Sequence, residues 1–500
     1  MARYCALIIS SISSLPKRSI KRLYLVRSEI LMGELSGYQS LLSKIREKRA
    51  EIVILGQGYI GLPLALLLCR AGYHVTGFDI KESLIKDLKE GKVKFSEVGL
   101  EELLKECLAS GRYSPEDSVE RALSNRDIYI IAVQTPVKIN GRPNLGYLLS
   151  ALELVLSHVR RYAPSLLVIE STVPPKTMEE VVMPILEERG FYLGDDIFLA
   201  YCPERAMPGR LLQELSGGNR IIGVIDELSG KLTEALYSSF TEGNIRITHF
   251  RTAELVKLVE NSYRDVNIAF ANAVALACEA LDVDVDEVRA LANLHPRVNI
   301  LKPGIGVGGS CLTKDPYFLL NSVSSHGINL DLIRVARKLN EMLPKHAAEL
   351  IVNALKAVGK RPEESLVAVL GITYKGNVQD CRNSPALELI YELKERGFSV
   401  RAYDPLVNEA PSGVYICRSL EEAVKGADCI VIGAEHSQLL KINLDEIQVL
   451  CRDSPVFFDG KHAFDRKAVE EAGFEYLSVG CPANVIEILK EIAEHHIHEP

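Results

Sequence analysis

Five hundred residues with 47% hydrophobic and 25% charged side chains make an ordinary globular chain, long enough for two or three domains that each bury a core. A formal net charge of -8 leaves no excess of positive charge for polyphosphate backbones, so broad binding to nucleic acid or to an anionic membrane is excluded and any phosphate must be met by local groups. The 11 cysteines include no CxxC pair and none at zinc-ligand spacing, which predicts reduced thiols in a cytoplasm and no metal site.

In chain order, the first thirty residues hold a short apolar stretch, Cys5 to Ile9, followed by Lys17, Arg18, Lys21, Arg22 and Arg27. A signal peptide has the opposite order, and no apolar run approaches the roughly 20 residues of a membrane span. Residues 1–49 are therefore read as an N-terminal extension that need not be structured, of which Met1 to Leu31 is dispensable with Met32 a candidate start, and an amphipathic basic arm is the alternative.

From Glu51, EIVILGQGYIGLPLALLLCRAGYHVTGFD reads as strand, glycine turn, helix and second strand. Apolar strands continue at Asp127 to Val133, Leu166 to Ile169, Ile197 to Ala200 and Ile221 to Ile225, alternating with helical stretches. Near-continuous apolar strands with intervening helices predict a parallel sheet covered on both faces, here over residues 50–247. Residues 248–358 change rhythm: apolar residues recur at three- and four-residue spacing from Thr252 for some thirty residues, a long bridging helix, and two more helical stretches flank a glycine-rich loop. Strand–helix alternation restarts after GKRPEES, giving a second α/β domain over 359–500. The fold class is thus α/β, two doubly wound Rossmann-like domains joined by a central helical domain.

Gly56, Gly58 and Gly61 form GxGxxG between a strand and a helix, where a pyrophosphate can sit on free amides, and Asp79 ends the next strand where a carboxylate accepts from a ribose and repels a 2′-phosphate. NAD is the expected cofactor. Thr135, directly before Pro136, and Thr172, two residues before Pro174, end later strands of the same domain, where ligands sit, although an isolated threonine before proline more often makes a simple turn. In HPRVNILKPGIGVGGSCLTKDPYFL, four glycines lead to Cys311, whose backbone a substrate can approach closely and whose sulfur has amides and Lys314 as positive neighbours. Lys257 and Asn261 lie i, i+4 on the long helix, and the surrounding Leu255, Val256, Leu258 and Val259 predict a partly buried lysine able to trade protons. Glu204 follows a strand in CPERAMPG, and GITYKGNVQDCRNSP places Lys375 and Arg382 in one loop after a strand, suited to a diphosphate.

Together, GxGYIGLPLA, ESTVPP, PERAMPG, AELVKLVENSYR, GVGGSCLTKDP, GITYKGNVQDCRNSP and FFDGK resemble the UDP-sugar 6-dehydrogenase family from about Glu51 to the end. The resemblance implies oxidation of a C6 alcohol to a carboxylate with two NAD, through a thiohemiacetal and thioester on Cys311. It implies Lys257 as general acid/base and oxyanion stabiliser, assisted by Asn261, with Glu204 and Asp315 handling water and protons. It assigns Tyr59, Ile60, Asp79, Thr135, Thr172 and Arg382 to NAD, and Arg205, Ala206, Lys257, Asn261, Arg264, Tyr374, Lys375 and Lys461 to the nucleotide sugar. His295, Arg297 and Gly308 match positions that reach the neighbouring subunit's substrate, which implies a homodimer or higher homo-oligomer. ERAMPG and HPRVN match the branch that takes UDP-N-acetylhexosamines, with UDP-N-acetylmannosamine expected first and UDP-N-acetylglucosamine second; GGSCLTKD is nearer the glucose type, so UDP-glucose stays an alternative.

Overall fold

A computed structural model describes residues 36–481 apart from 139, 140, 162, 408 and 410. It divides into two compact units, one of residues up to 94 with 98–135 and 145–254, the other of 95–97, 136–144 and 255 onward. The central helices and the C-terminal sheet fall in the same compact unit. Among the described residues no helix is long and apolar enough to cross a membrane.

The first unit begins earlier than predicted. Residues 36–46 form a helix, α1, whose Tyr38, Leu41, Leu42 and Ile45 are buried. Lys44 is salt-bridged to the buried Asp127 at 2.7 Å, and the Tyr73 hydroxyl donates to the Ile45 carbonyl at 2.8 Å. The reading of residues 1–49 as an extension that need not be structured is thus corrected from residue 36 on, because an apolar stripe at helical spacing there finds a core; residues 1–35, Met32 among them, lie outside the described residues.

Eight strands follow: β1 Glu51–Leu55, β2 His74–Phe78, β3 Tyr113–Glu116, β4 Ile128–Ile131, β5 Ser165–Ile169, β6 Ile197–Tyr201, β7 Arg220–Val224 and β8 Ile245–His249. Their order is β3-β2-β1-β4-β5-β6-β7-β8, so the chain reverses direction across the sheet between β1 and β4, where a doubly wound sheet opens its ligand crevice. All pairings are parallel except β6 with β7, which meet antiparallel at Tyr201 and Gly223. β4, β5 and β6 are buried along their whole length, which is why they read as unbroken apolar runs.

The long helix α2, Phe250–Leu281, spans 32 residues. In the second unit it is followed by α3 (Val285–Ala292, capped by Asp284), α4 (Asp315–Ser324) and α5 (Asp331–Ala357). The second sheet is all parallel, in the order β10-β9-β11-β12-β13, from β9 Leu366–Leu370, β10 Ser399–Tyr403, β11 Cys429–Ile432, β12 Val456–Asp459 and β13 Glu475–Leu477. Its reversal lies between β9 and β11. One apolar core joins this sheet to α5 and to Ala275 and Cys278 of α2.

Candidate active site

In the first unit, β1 delivers Gly56 at φ +94, a conformation that a side chain resists, with its N–H donating to the Phe78 carbonyl at 2.8 Å. A Cβ on Gly61 would lie 1.8 Å from the Gly56 carbonyl oxygen, so only glycine lets the following helix, Gly61–Arg70, close on the turn. Gly58, by contrast, would meet nothing within 4 Å; its neighbourhood is open, as a site for a pyrophosphate requires. Asp79 is oriented by two backbone donors, Gln57 N–H and Lys81 N–H, each at 2.9 Å. Buried Gln57 is fixed in turn by the Tyr113 hydroxyl at 2.7 Å. This cradle fits a dinucleotide. Tyr59 and Ile60 lie half-buried in the same turn, and the Thr135 hydroxyl donates to the Thr172 carbonyl at 2.6 Å, tying two strand ends together.

Beyond Thr172 the turn is held by Glu254 of α2, which the sequence reading passed over. Its buried carboxylate accepts from Lys176 N–H at 2.6 Å and Met178 N–H at 2.9 Å. Burial pushes its carboxyl up to about 7, against the two amides that favour the charged form; Glu179 raises it further and Arg251 lowers it. With the folded value above the unfolded one, the native state holds this proton more tightly, so stability falls as pH rises from about 4.5 to 7, by about 3 kcal/mol, and levels off above. Glu254→Gln is expected to flatten that part of the thermal-midpoint profile between pH 5 and 8. A wild-type slope left unchanged in the variant disproves the assignment.

Glu204 also belongs to the first unit. It is buried, and its carboxylate accepts the N–H of Ala206. Arg205 is exposed and donates to the Asn219 carbonyl at 3.0 Å.

In the second unit, Lys257 and Asn261 are both buried on one face of α2. The surroundings differ from the expectation: Leu258 is buried, but Leu255 and Val259 turn outward, so the lysine is covered by its helix's packing face and not by a ring of apolar neighbours. Asn261 donates to Asp315 Oδ2 at 2.5 Å, and Lys314 approaches Asp315 Oδ1 at 2.7 Å while lying 4.3 Å from the centre of the Phe318 ring. Lys314 is thus engaged by the carboxylate, where the sequence suggested a partner for the sulfur. The Cys311 carbonyl accepts from Asp315 N–H at 2.9 Å, which sets the thiol one turn ahead of α4. Among the described cysteines Cys311 is the one that is exposed; the rest are buried or half-buried.

The glycines before Cys311 bring it against the C-terminal domain's loop. Cβ atoms on Gly308 and Gly309 would fall 2.7 and 2.9 Å from Tyr374 atoms. Gly309 N–H donates to the Arg382 carbonyl at 3.0 Å, and the Asn383 amide returns a bond to the Gly309 carbonyl at 3.0 Å. The Tyr374 hydroxyl is pushed up to about 12, first by burial, then by Asp380 and Cys311, with Arg382 and Arg264 opposing, so these predicted groups share one electrostatic neighbourhood. Arg382 itself is held in a bidentate pair with Asp380 at 2.6 Å. Lys375 is half-buried in the same loop, Lys461 follows β12 with its N–H on Asp459 at 3.0 Å, and His295 and Arg297 are exposed after α3.

Family models for an NAD binding domain, a central domain and a UDP binding domain match residues 50–241, 251–342 and 368–466. The chain belongs to the UDP-glucose/GDP-mannose dehydrogenase family. As a member it is an NAD-dependent UDP-sugar dehydrogenase, an oxidoreductase, and NAD is its cofactor. It is 42% identical over 429 residues to the UDP-N-acetyl-D-mannosamine dehydrogenase of Pyrococcus horikoshii, covering 86% of this chain and 99% of that one. The solved structure of the Pyrococcus horikoshii UDP-D-ManNAc dehydrogenase superposes with a TM-score of 0.79 at 41% identity over the same shares. The UDP-N-acetyl-mannosamine dehydrogenase Cap5O of Staphylococcus aureus gives a TM-score of 0.76 at 34% identity, covering 88% of this chain and 100% of that one.

Proposed function

We propose that the chain oxidises the C6 alcohol of a UDP-N-acetylhexosamine, UDP-N-acetyl-D-mannosamine first among them, to the uronate in the cytoplasm. The observation that carries the chemistry is the buried Lys257, Asn261 and Asp315 group in the same unit as the exposed Cys311. The choice of sugar is supported by the names of the Pyrococcus horikoshii and Staphylococcus aureus relatives and by the ERAMPG and HPRVN segments. Bound NAD supplies the hydride acceptor, twice per sugar. Gly56, Gly58, Tyr59, Ile60, Gly61, Asp79, Thr135 and Thr172 hold it, with Arg382 a further contact.

Lys257 takes the C6 hydroxyl proton as the first hydride leaves, and the product is the aldehyde. Cys311 sulfur then bonds to the aldehyde carbon, and Lys257 with Asn261 stabilises and protonates the resulting oxyanion. Lys257 takes the thiohemiacetal hydroxyl proton as the second hydride leaves, and the product is a thioester. Water, positioned by Glu204 and Asp315, adds to it, the C–S bond breaks, and carboxylate and thiol are released. The net change is alcohol, two NAD⁺ and water to carboxylate, two NADH and three protons. Arg205, Ala206, Arg264, Tyr374, Lys375 and Lys461 bind the nucleotide sugar.

A homodimer is part of this reading. Leu255, Val259, Tyr263 and Phe270 lie exposed along α2, and Leu332, Val335 and Met342 along α5, large apolar side chains that a partner would cover. A second copy covers them, with His295, Arg297 and Gly308 reaching the partner's substrate. The expected outcome with UDP-N-acetylmannosamine, UDP-N-acetylglucosamine, UDP-N-acetylgalactosamine and UDP-glucose is highest kcat/KM for the first, at two NADH per sugar. Highest kcat/KM for UDP-glucose overturns the hexosamine assignment, and absence of NADH with all four overturns the reaction.

A further inference from the structure

A buried polar chain that the reaction above does not use runs between the bridging helix and both ends of the cysteine loop. Asp265 stands one turn beyond Asn261 on α2 and is fully buried. Its Oδ1 accepts from Arg337 of α5 at 2.6 Å and from the Asn340 amide at 2.8 Å. The same Arg337 nitrogen donates to the Leu312 carbonyl at 3.3 Å, and Leu312 adjoins Cys311. At the other end, the Asn340 side-chain oxygen accepts from Asn272 at 2.9 Å, and Asn272 accepts the Gly304 N–H at 3.0 Å. Pro344, one turn on in α5, has no N–H for the Asn340 carbonyl; Gly306 lies against that oxygen so closely that a Cβ would come within 2.8 Å.

A guanidinium that is 1% exposed and a carboxylate that is 0% exposed form an expensive pair, which replacement by apolar side chains of similar volume often leaves as stable or more so. Stability alone gives little reason to keep it here. What the pair does have is a fixed geometry: one Arg337 nitrogen reaches a carboxylate on the helix of Lys257 and a carbonyl beside the thiol at once, while its Nε meets Glu341 at 3.4 Å, so two edges of a planar guanidinium are held where a lysine's single ammonium has no second arm.

We propose that Arg337, with Asp265, Asn340 and Asn272, is a positioning group that sets the register of Cys311 against the Lys257–Asn261 helix, so that the aldehyde is captured before it leaves. The inference rests on the thioester reading above. In that scheme the first hydride transfer needs Lys257 and not the sulfur, whereas the second needs the sulfur within bonding distance of the aldehyde carbon; a displaced loop therefore penalises only the second step. A displacement of about 1 Å from a distant change costs up to about a hundredfold in rate.

The test compares wild type with Arg337→Lys, which keeps the charge opposite Asp265 but loses the fork, and with Asn272→Ser, which releases the other end of the loop. NADH per sugar, trapping of free aldehyde with a hydrazide, kcat, and KM for sugar and NAD are read together, alongside the thermal midpoint. The expected result is NADH per sugar falling from two towards one, trapped aldehyde appearing, kcat for acid formation down by about tenfold to a hundredfold, and both KM values within about twofold. Two NADH per sugar at unchanged kcat in a folded variant overturns the proposal, as does equal slowing of both oxidations. Should Arg337→Lys not fold, Asn272→Ser gives the same readout. One NADH per sugar from wild type sinks the thioester reading itself, a result distinguishable from any outcome in the variants.

Discussion

Cys311→Ser is expected to lower the rate of acid formation by at least about three orders of magnitude, roughly 4 kcal/mol of barrier, while leaving the first NADH of each sugar intact. A serine hydroxyl occupies nearly the same space and stays protonated at neutral pH, so the loop and its neighbours are undisturbed and the chemistry alone changes. Cys311 is exposed and its sulfur has a single close polar neighbour among the hydrogen bonds, Ser310 Oγ at 3.8 Å, so the substitution removes no buried contact. Single-turnover mixing with excess enzyme separates the steps: one equivalent of NADH at the wild-type rate, then a stall with aldehyde that a hydrazide captures. Carboxylate at the wild-type rate and two NADH per sugar from the variant would falsify covalent capture at this residue. The other described cysteines are poor substitutes, since burial raises several of them, Cys202 and Cys381 to about 12.

The legibility of this molecule in its sequence follows burial. β4, β5 and β6 are buried over every residue, so their apolar runs announced them. β3 reads Tyr-Ser-Pro-Glu and β8 Ile-Arg-Ile-Thr-His, short segments with polar or exposed positions and, in β3, a proline, so neither carried a strand signal although both pair in the sheet. The antiparallel meeting of β6 and β7 is equally silent, because strand direction depends on the path of the connecting segment, which periodicity does not encode. Helix α1 is legible in the spacing of Tyr38, Leu41, Leu42 and Ile45, but it is short and follows a basic stretch that has no such pattern.

The site divides in the same way. Glycines that backbone geometry demands, Gly56 and Gly61 in the turn and Gly306, Gly308 and Gly309 before the thiol, pointed to both chemical centres, since each lies where a Cβ would strike backbone or ring atoms. The groups behind them stayed hidden. Glu254, Asp265 and Asn272 sit on the buried face of α2 together with Lys257 and Asn261, yet polar residues occur on both faces of this long helix, so residue type alone does not mark which of them turn inward. Spacing offered one clue not taken: Lys257, Asn261 and Asp265 fall at successive four-residue steps, a single polar stripe opposite the outward Leu255, Val259 and Tyr263.

The second large effect separates folding from ligand binding in the glycine turn. Gly61→Ala forces a Cβ to within 1.8 Å of the Gly56 carbonyl oxygen and 2.9 Å of its carbon, atoms of backbone that cannot swing aside as a side-chain end can. The turn must open, which displaces the amides at the N-terminus of Gly61–Arg70 that a pyrophosphate needs. NAD affinity is expected to fall by about a hundredfold or more, with a lower thermal midpoint. Gly58→Ala, whose Cβ meets no protein atom within 4 Å, is expected to keep the wild-type midpoint and still weaken NAD by about tenfold, because the added methyl occupies space the cofactor would take. The chain has no tryptophan to report binding, so calorimetric titration measures both affinities and scanning calorimetry both midpoints. Wild-type affinity in Gly61→Ala removes the pyrophosphate from this turn; a large loss of stability in Gly58→Ala shows that the open space around it is needed by the fold and not by the ligand.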